Sequence, residues 1–102
     1  MSELIAFVHE AARCRFVAWT ATAHAWAVYE EDDGILSFVQ THHSRSAQDA
    51  GLVDELVRHC LATSRAEQRY VTPLCAAFFL YMEARPETHD LLSPLGLRLY
   101  SD

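Results

Sequence analysis

Leu52-Val53-Asp54-Glu55-Leu56-Val57-Arg58-His59-Cys60-Leu61 is the stretch that decides the fold, because its apolar residues fall at 52, 53, 56, 57, 60 and 61. That is a stripe of period near 3.6, and it predicts a helix over residues 49–65. Asp54 with Arg58, and Glu55 with His59, lie four apart on the other face and support it. The stripe needs an apolar surface to cover, and the residues on either side supply one. Upstream, residues 14–20, 24–29 and 35–41 are rich in β-branched and aromatic side chains and read as three strands. Residues 24–29 and 35–41 are joined by Glu30-Glu31-Asp32-Asp33-Gly34, a polar turn in which Gly34 is free to take positive φ. Residues 4–9 form a short apolar run that suits either a strand or a helical turn.

Downstream, residues 69–73 read as a short strand that Pro73 ends or distorts, and residues 75–84 as a second helix. Pro86 can open a further helical turn through Leu92, and Leu95 to Tyr100 is expected to form a last strand. Consecutive strands with short connections make an antiparallel meander. The expectation is one α/β domain over residues 1–102, with a mostly antiparallel sheet, a long central helix and shorter C-terminal helices.

The 102 residues fit one domain and can bury a core without disulfides or a structural metal. Fourteen acidic residues face eight basic ones, giving a formal charge of -6, and all eight basic residues are scattered Arg. Binding to a phosphate backbone needs a basic face, so nucleic acid is not an expected partner. An acidic chain more readily attracts a cation such as an amine. No segment reaches the roughly 20 apolar residues that span a bilayer. The N-terminal stretch lacks a basic region and carries Glu3 within its apolar run, so a cleaved signal peptide is not expected. Cys14, Cys60 and Cys75 show no CxxC spacing and suit reduced thiols in a cytoplasm.

Two segments carry candidate chemistry. Gln48, Asp49, Ala50, Gly51, Leu52 and Val53 sit where a loop enters the long helix. Unpaired N–H groups and the helix dipole at such a point can hold an anion such as a pyrophosphate. An ordinary helix start explains the same residues, and Asp49, Asp54 and Glu55 would oppose a phosphate. The second segment is Thr72-Pro73-Leu74-Cys75, where a strand hands over to a helix. A thiol in a helix's first turn can lose its proton more readily, whereas burial among Leu74, Ala76, Ala77 and Phe78 acts the other way. The six histidines show no HExxH or paired CxxC spacing, and no metal site is expected. Tyr81, Trp19 and Trp26 read as core residues, although Tyr81 could in principle serve as an acid.

These segments, with their order, resemble the GNAT superfamily of acetyl-CoA-dependent N-acetyltransferases, and more closely its small single-domain members. Gln48 and Gly51 fit the Gln/Arg-x-x-Gly-x-Gly/Ala loop of that superfamily. Arg15-Phe16, Ala25-Trp26-Ala27-Val28-Tyr29, Gln40-Thr41, Pro73-Leu74-Cys75 and Arg85-Pro86-Glu87 follow in the order of the small family, from about Phe7 to Leu92. The resemblance implies an N-acetyltransferase that binds acetyl-CoA (coenzyme A) through residues 48–53 and acetylates a primary amine of an unspecified acceptor. His42 is then the expected base and Cys75 the group beside the thioester, as acid or transient acetyl acceptor. Such a chain would work in the cytoplasm as a monomer or weak homodimer, with no nucleic-acid or membrane partner. The chain departs from the pattern at Val53, where Gly or Ala is usual, at Asp49, where the small family has Gly, and at Gln40, where it has His. His42-His43 replace Glu-Val, and Ser44-Arg45 replace a Pro pair. These departures motivate an alternative, a non-catalytic GNAT-like domain that binds CoA or a protein partner.

Overall fold

A computed structural model describes residues 4–46 and 51–101. Five strands form one sheet in the order of the chain: β1 (Ala6–Glu10), β2 (Arg15–Trp19), β3 (His24–Asp32), β4 (Ile35–His43) and β5 (Tyr70–Pro73). The first four pair antiparallel, as short connections require, and the ambiguous run at the N-terminus is therefore the edge strand β1. β5 lies parallel to β4. A parallel pair needs a crossover, and helix α1 (Leu52–Ala66) supplies it. The polar turn is tighter than its composition suggested: β3 runs on through Glu30, Glu31 and Asp32, leaving Asp33 and Gly34 at positive φ.

Register and burial separate the two faces of the sheet. Phe16 and Ala18 of β2, Ala25, Ala27 and Tyr29 of β3, Leu36 and Phe38 of β4, and Val71 of β5 are buried on one face. α1 covers that face with Leu52, Leu56, Val57, Cys60 and Leu61, all buried. Val53 is only half-buried at the helix start. Helix α2 (Ala76–Glu83) packs beside α1 and contributes Phe78 and Met82. Phe78 stacks on Phe38 with ring centroids 4.0 Å apart. The opposite face carries Val8, Val17, Trp19, Trp26 and Val28, and among the described residues no helix packs across it.

The expected last strand at Leu95 to Tyr100 is instead a short helix, α3 (Pro94–Leu99). Ser93 caps it, its hydroxyl accepting from the Gly96 N–H at 3.0 Å, and Pro94 stands at the first helical position, where its missing N–H costs nothing. The same hydroxyl meets Thr72 Oγ1 at 2.6 Å, and the Ser93 N–H donates to the Val71 carbonyl, so the turn is fastened to β5. A Cβ at Gly96 would stand 3.0 Å from that carbonyl, which leaves no room for a larger residue. The Tyr100 hydroxyl donates to the Phe79 carbonyl at 2.7 Å, and burial, with Glu83 nearby, pushes its pKa up to about 12.

His59 gives the fold a pH dependence. Its ring stacks on Phe7 of β1 at 4.1 Å, and burial, reinforced by His9, lowers its pKa below the ordinary 6.5. The folded chain therefore binds fewer protons at this site than the unfolded chain just below pH 6.5. Its stability is complete above that pH and falls as the pH drops through the window toward the folded value. In urea melts, the wild type should lose more stability between pH 7.5 and 5.5 than His59→Phe, which keeps the stack but cannot titrate. Equal losses would remove His59 as the cause.

Candidate functional site at the fork between two strands

β4 and β5 are neighbours from Ile35–Tyr70 to Phe38–Pro73, and then they part. Pro73 has no N–H to continue the ladder. The N–H groups of Leu74 and Cys75 both donate to the Phe38 carbonyl at 3.0 Å, turning the chain away into α2. β4 goes on to His43 in company with β3 alone. Its other edge, from Val39 onward, faces a fork with no strand neighbour among the described residues.

A bulge sits at the same place. Tyr29 pairs with Phe38 and Val28 with Gln40, so Val39 has no partner on β3. One extra residue reverses the alternation of β4. Leu36 and Phe38 face the helices before it, whereas Thr41 and His43, opposite Ala27 and Ala25, face them after it. Gln40 and His42, opposite Val28 and Trp26, project from the open face.

Two cavities border the fork on the helix side. One, of about 290 Å³, is lined by Thr41, His43, Gly51, Val53, Asp54 and Ala77. The other, of about 310 Å³, is lined by Pro73, Leu74, Cys75, Ala76, Phe79, Leu80 and Leu99. Gly51 is the residue before α1, at φ +69°, with nothing within 4 Å of where a Cβ would stand. It has no side chain to cap the helix, and the first-turn N–H groups of Leu52, Val53 and Asp54 have no intrahelical partner. Gly51→Ala has the space but not the backbone: it should cost about 1–2 kcal/mol in a urea melt with unchanged slope. A loss below about 0.3 kcal/mol would show that the left-handed turn is not needed there.

The expected site residues separate in space. Gln48, Asp49 and Ala50 lie outside the described residues. Gly51 and Val53 line the first cavity, while the Leu52 side chain is buried in the core. Cys75 precedes α2 in extended conformation, not inside its first turn, and lines the second cavity, so it does not share the first with residues 51–53. It is half-buried, Cys60 is fully buried and its thiol is pushed well up by burial, and Cys14 is exposed in a left-handed turn between β1 and β2.

His42 and His43 take opposite faces, as adjacent strand residues must. His42 Nε2 lies 3.1 Å from Gln40 Oε1; an amide oxygen only accepts, so the ring donates from Nε2 and keeps its lone pair at Nδ1. His43 donates from Nδ1 to the Ser44 carbonyl at 2.9 Å, which leaves the lone pair at Nε2 on the cavity side. Sequence reading overlooked His43 and Thr41 as cavity residues. Tyr81 lies apart from the fork, with the Arg85 guanidinium 3.7 Å above its ring.

A family model described as GCN5-related N-acetyl-transferase matches residues 15–91, from the start of β2 through the turn before α3. The chain belongs to that family. The match includes the whole fork, both helices beside it and the bulge. No curated protein and no solved structure gives a significant match. The first-turn donors of α1, the bare Gly51 and the adjoining cavity fit the pyrophosphate of a coenzyme A derivative, although the Asp54 carboxylate on the same wall acts against an anion.

Proposed function

We propose that the chain binds acetyl-CoA on the helix side of the fork and transfers the acetyl group to a primary amine arriving from the open face. The observation that carries this reading is the fork itself. It opens β4 to both sides of the sheet, between an anion-receptive helix start and an imidazole with a free lone pair. Residues 48–53 and the cavity wall of Thr41 and His43 would hold the cofactor. When bound, acetyl-CoA supplies an acetyl group already activated as a thioester.

The chain's own residues then have a proton to manage. A primary amine is mainly protonated at neutral pH and cannot attack until it loses a proton. His42 Nδ1 is the acceptor for that proton, and Gln40 holds the ring in the tautomer that leaves Nδ1 free. Cys75 lines the cavity on the other side of the fork, and its role would be to give a proton to the departing CoA thiolate or to accept the acetyl group transiently. A cytoplasmic setting agrees with three free cysteines, and among the described residues no helix is long and apolar enough to cross a membrane. We read the working unit as a monomer or weak homodimer.

Calorimetric titration with CoA and acetyl-CoA tests the reading without needing the acceptor. Saturable one-to-one binding of both is the expected result. Absence of heat at every temperature tried, with no change in melting temperature, would remove the cofactor assignment. A second reading has its own observation: the branched Val53 and the anionic Asp54 both line the cavity where the cofactor should sit. They favour a domain that has kept the fold as an interaction module, and this reading expects no turnover with any amine.

A further inference from the structure

The open face of the sheet holds a cavity that the donor site does not use. It measures about 310 Å³ and is lined by Arg15, Val17, Trp19, His24 and Trp26. We propose that it seats the acceptor as an amine carried on a flat aromatic ring, with the ring against Trp26 and the amino group directed along the face toward His42. This rests on the acetyl-transfer reading above and names the substrate class for it.

Three features support the assignment. The first is shape and chemistry: the volume is that of a small-ligand cleft, and its walls are mainly planar or apolar. Trp19 remains 41% exposed and Trp26 half-buried, so both indoles offer surface to a ring. The second is direction. His24 stacks on Trp26 with centroids 5.5 Å apart and planes within 10°, and Trp26 stacks on His42 at 5.0 Å and 22°. The cavity thus adjoins the proposed base through one row of rings. A linker of two or three carbons spans the single inter-strand step of about 5 Å from β3 to β4.

The third feature is charge. Arg15 Nε is bonded to Glu10 Oε1 at 2.5 Å, so the one cation of the lining is neutralised and does not repel an ammonium group. Indole faces attract such a cation. No lining residue is Asp or Glu, which disfavours a polyamine, whose several charges would need carboxylates spaced along the wall.

The chain has two tryptophans, and both line this cavity, so its intrinsic fluorescence reports on occupancy. Titration with 2-phenylethylamine should change the emission saturably, whereas spermidine at the same concentrations should not. Trp26→Phe, read through Trp19, should weaken binding only modestly. Trp26→Ala should weaken it at least tenfold, with an unchanged far-UV spectrum. If Trp26→Ala fails to fold, Val17→Glu provides the second test by placing a carboxylate in the wall, and it should shift preference toward spermidine. Saturation by spermidine in the wild type, with phenylethylamine inert and CoA bound, overturns this proposal and leaves acetyl transfer standing. Phenylethylamine binding without CoA binding supports the cavity and removes the transfer reading. A concentration-dependent dimer in sedimentation that shifts the emission, with no amine altering it, overturns the proposal in favour of a second copy on this face.

Discussion

Replacing Phe38 with Ala should remove a large share of the chain's folding stability and lower its melting temperature by more than ten degrees, about 12 °C at the least. The ring is fully buried at the centre of the core, stacked on Phe78 at 4.0 Å and tilted against Tyr29 at 5.9 Å and Phe16 at 6.1 Å. Its removal loses contacts to β2, β3 and α2 at once, and two strands and a helix packed around it give the cavity little means to collapse. Such truncations cost about 3–5 kcal/mol, against a total stability of about 5–15 kcal/mol for a domain of this kind. At about 4–8 °C per kcal/mol, the melting temperature should fall by at least about 12 °C. The main-chain carbonyl of Phe38, which closes the fork, is retained in the variant, so the loss is one of packing. Phe38→Leu should recover more than half of it. A thermal melt followed by far-UV circular dichroism decides the matter: an Ala variant melting within about 5 °C of the wild type would show that the core does not depend on this ring.

The meander and α1 were legible in the sequence because each carries its own period. Leu52, Leu56, Val57, Cys60 and Leu61 mark a helix face without reference to anything else, and all five are buried. α3 was misread for a local reason. Leu95, Leu97 and Leu99 alternate as a strand would, yet Ser93-Pro94 is a helix-start signature, and the capping bond to Gly96 prevails over alternation. The bulge left no signature at all. Val39 is an ordinary strand residue, and its lack of a partner follows from how β3 and β4 register across the turn at Gly34. Counting by twos from Leu36 and Phe38 puts Gln40 and His42 with the helices, where the structure has Thr41 and His43. The site therefore depends on one residue's offset that composition does not record. The open face follows from what the chain lacks: Trp19 and Trp26 read as core by type, and among the described residues no element covers them.

Because His42 lies on the open face and His43 on the helix face, substitution of the two should separate chemistry from cofactor binding. His42→Ala should lower kcat/KM for acetyl transfer by about 10²–10⁴, the range for loss of a positioned general base. CoA affinity should stay within about twofold, since His42 does not line the cavity at Gly51. Stability should change by no more than about 0.5 kcal/mol, as expected for an exposed strand residue. His43→Ala should do the reverse, weakening CoA binding through the lost cavity wall while kcat at saturating donor falls far less. Gln40→Leu removes the oxygen that fixes the His42 tautomer without touching the base itself. It should give an intermediate loss in kcat that Gln40→Glu partly restores, because a carboxylate accepts the same Nε2–H. Calorimetry with CoA and steady-state rates on one amine, measured across the four variants, supply the comparison. Should His42→Ala transfer acetyl at the wild-type rate while His43→Ala is inactive with CoA still bound, the base belongs on the helix face, and the assignment of the open face to the acceptor fails with it.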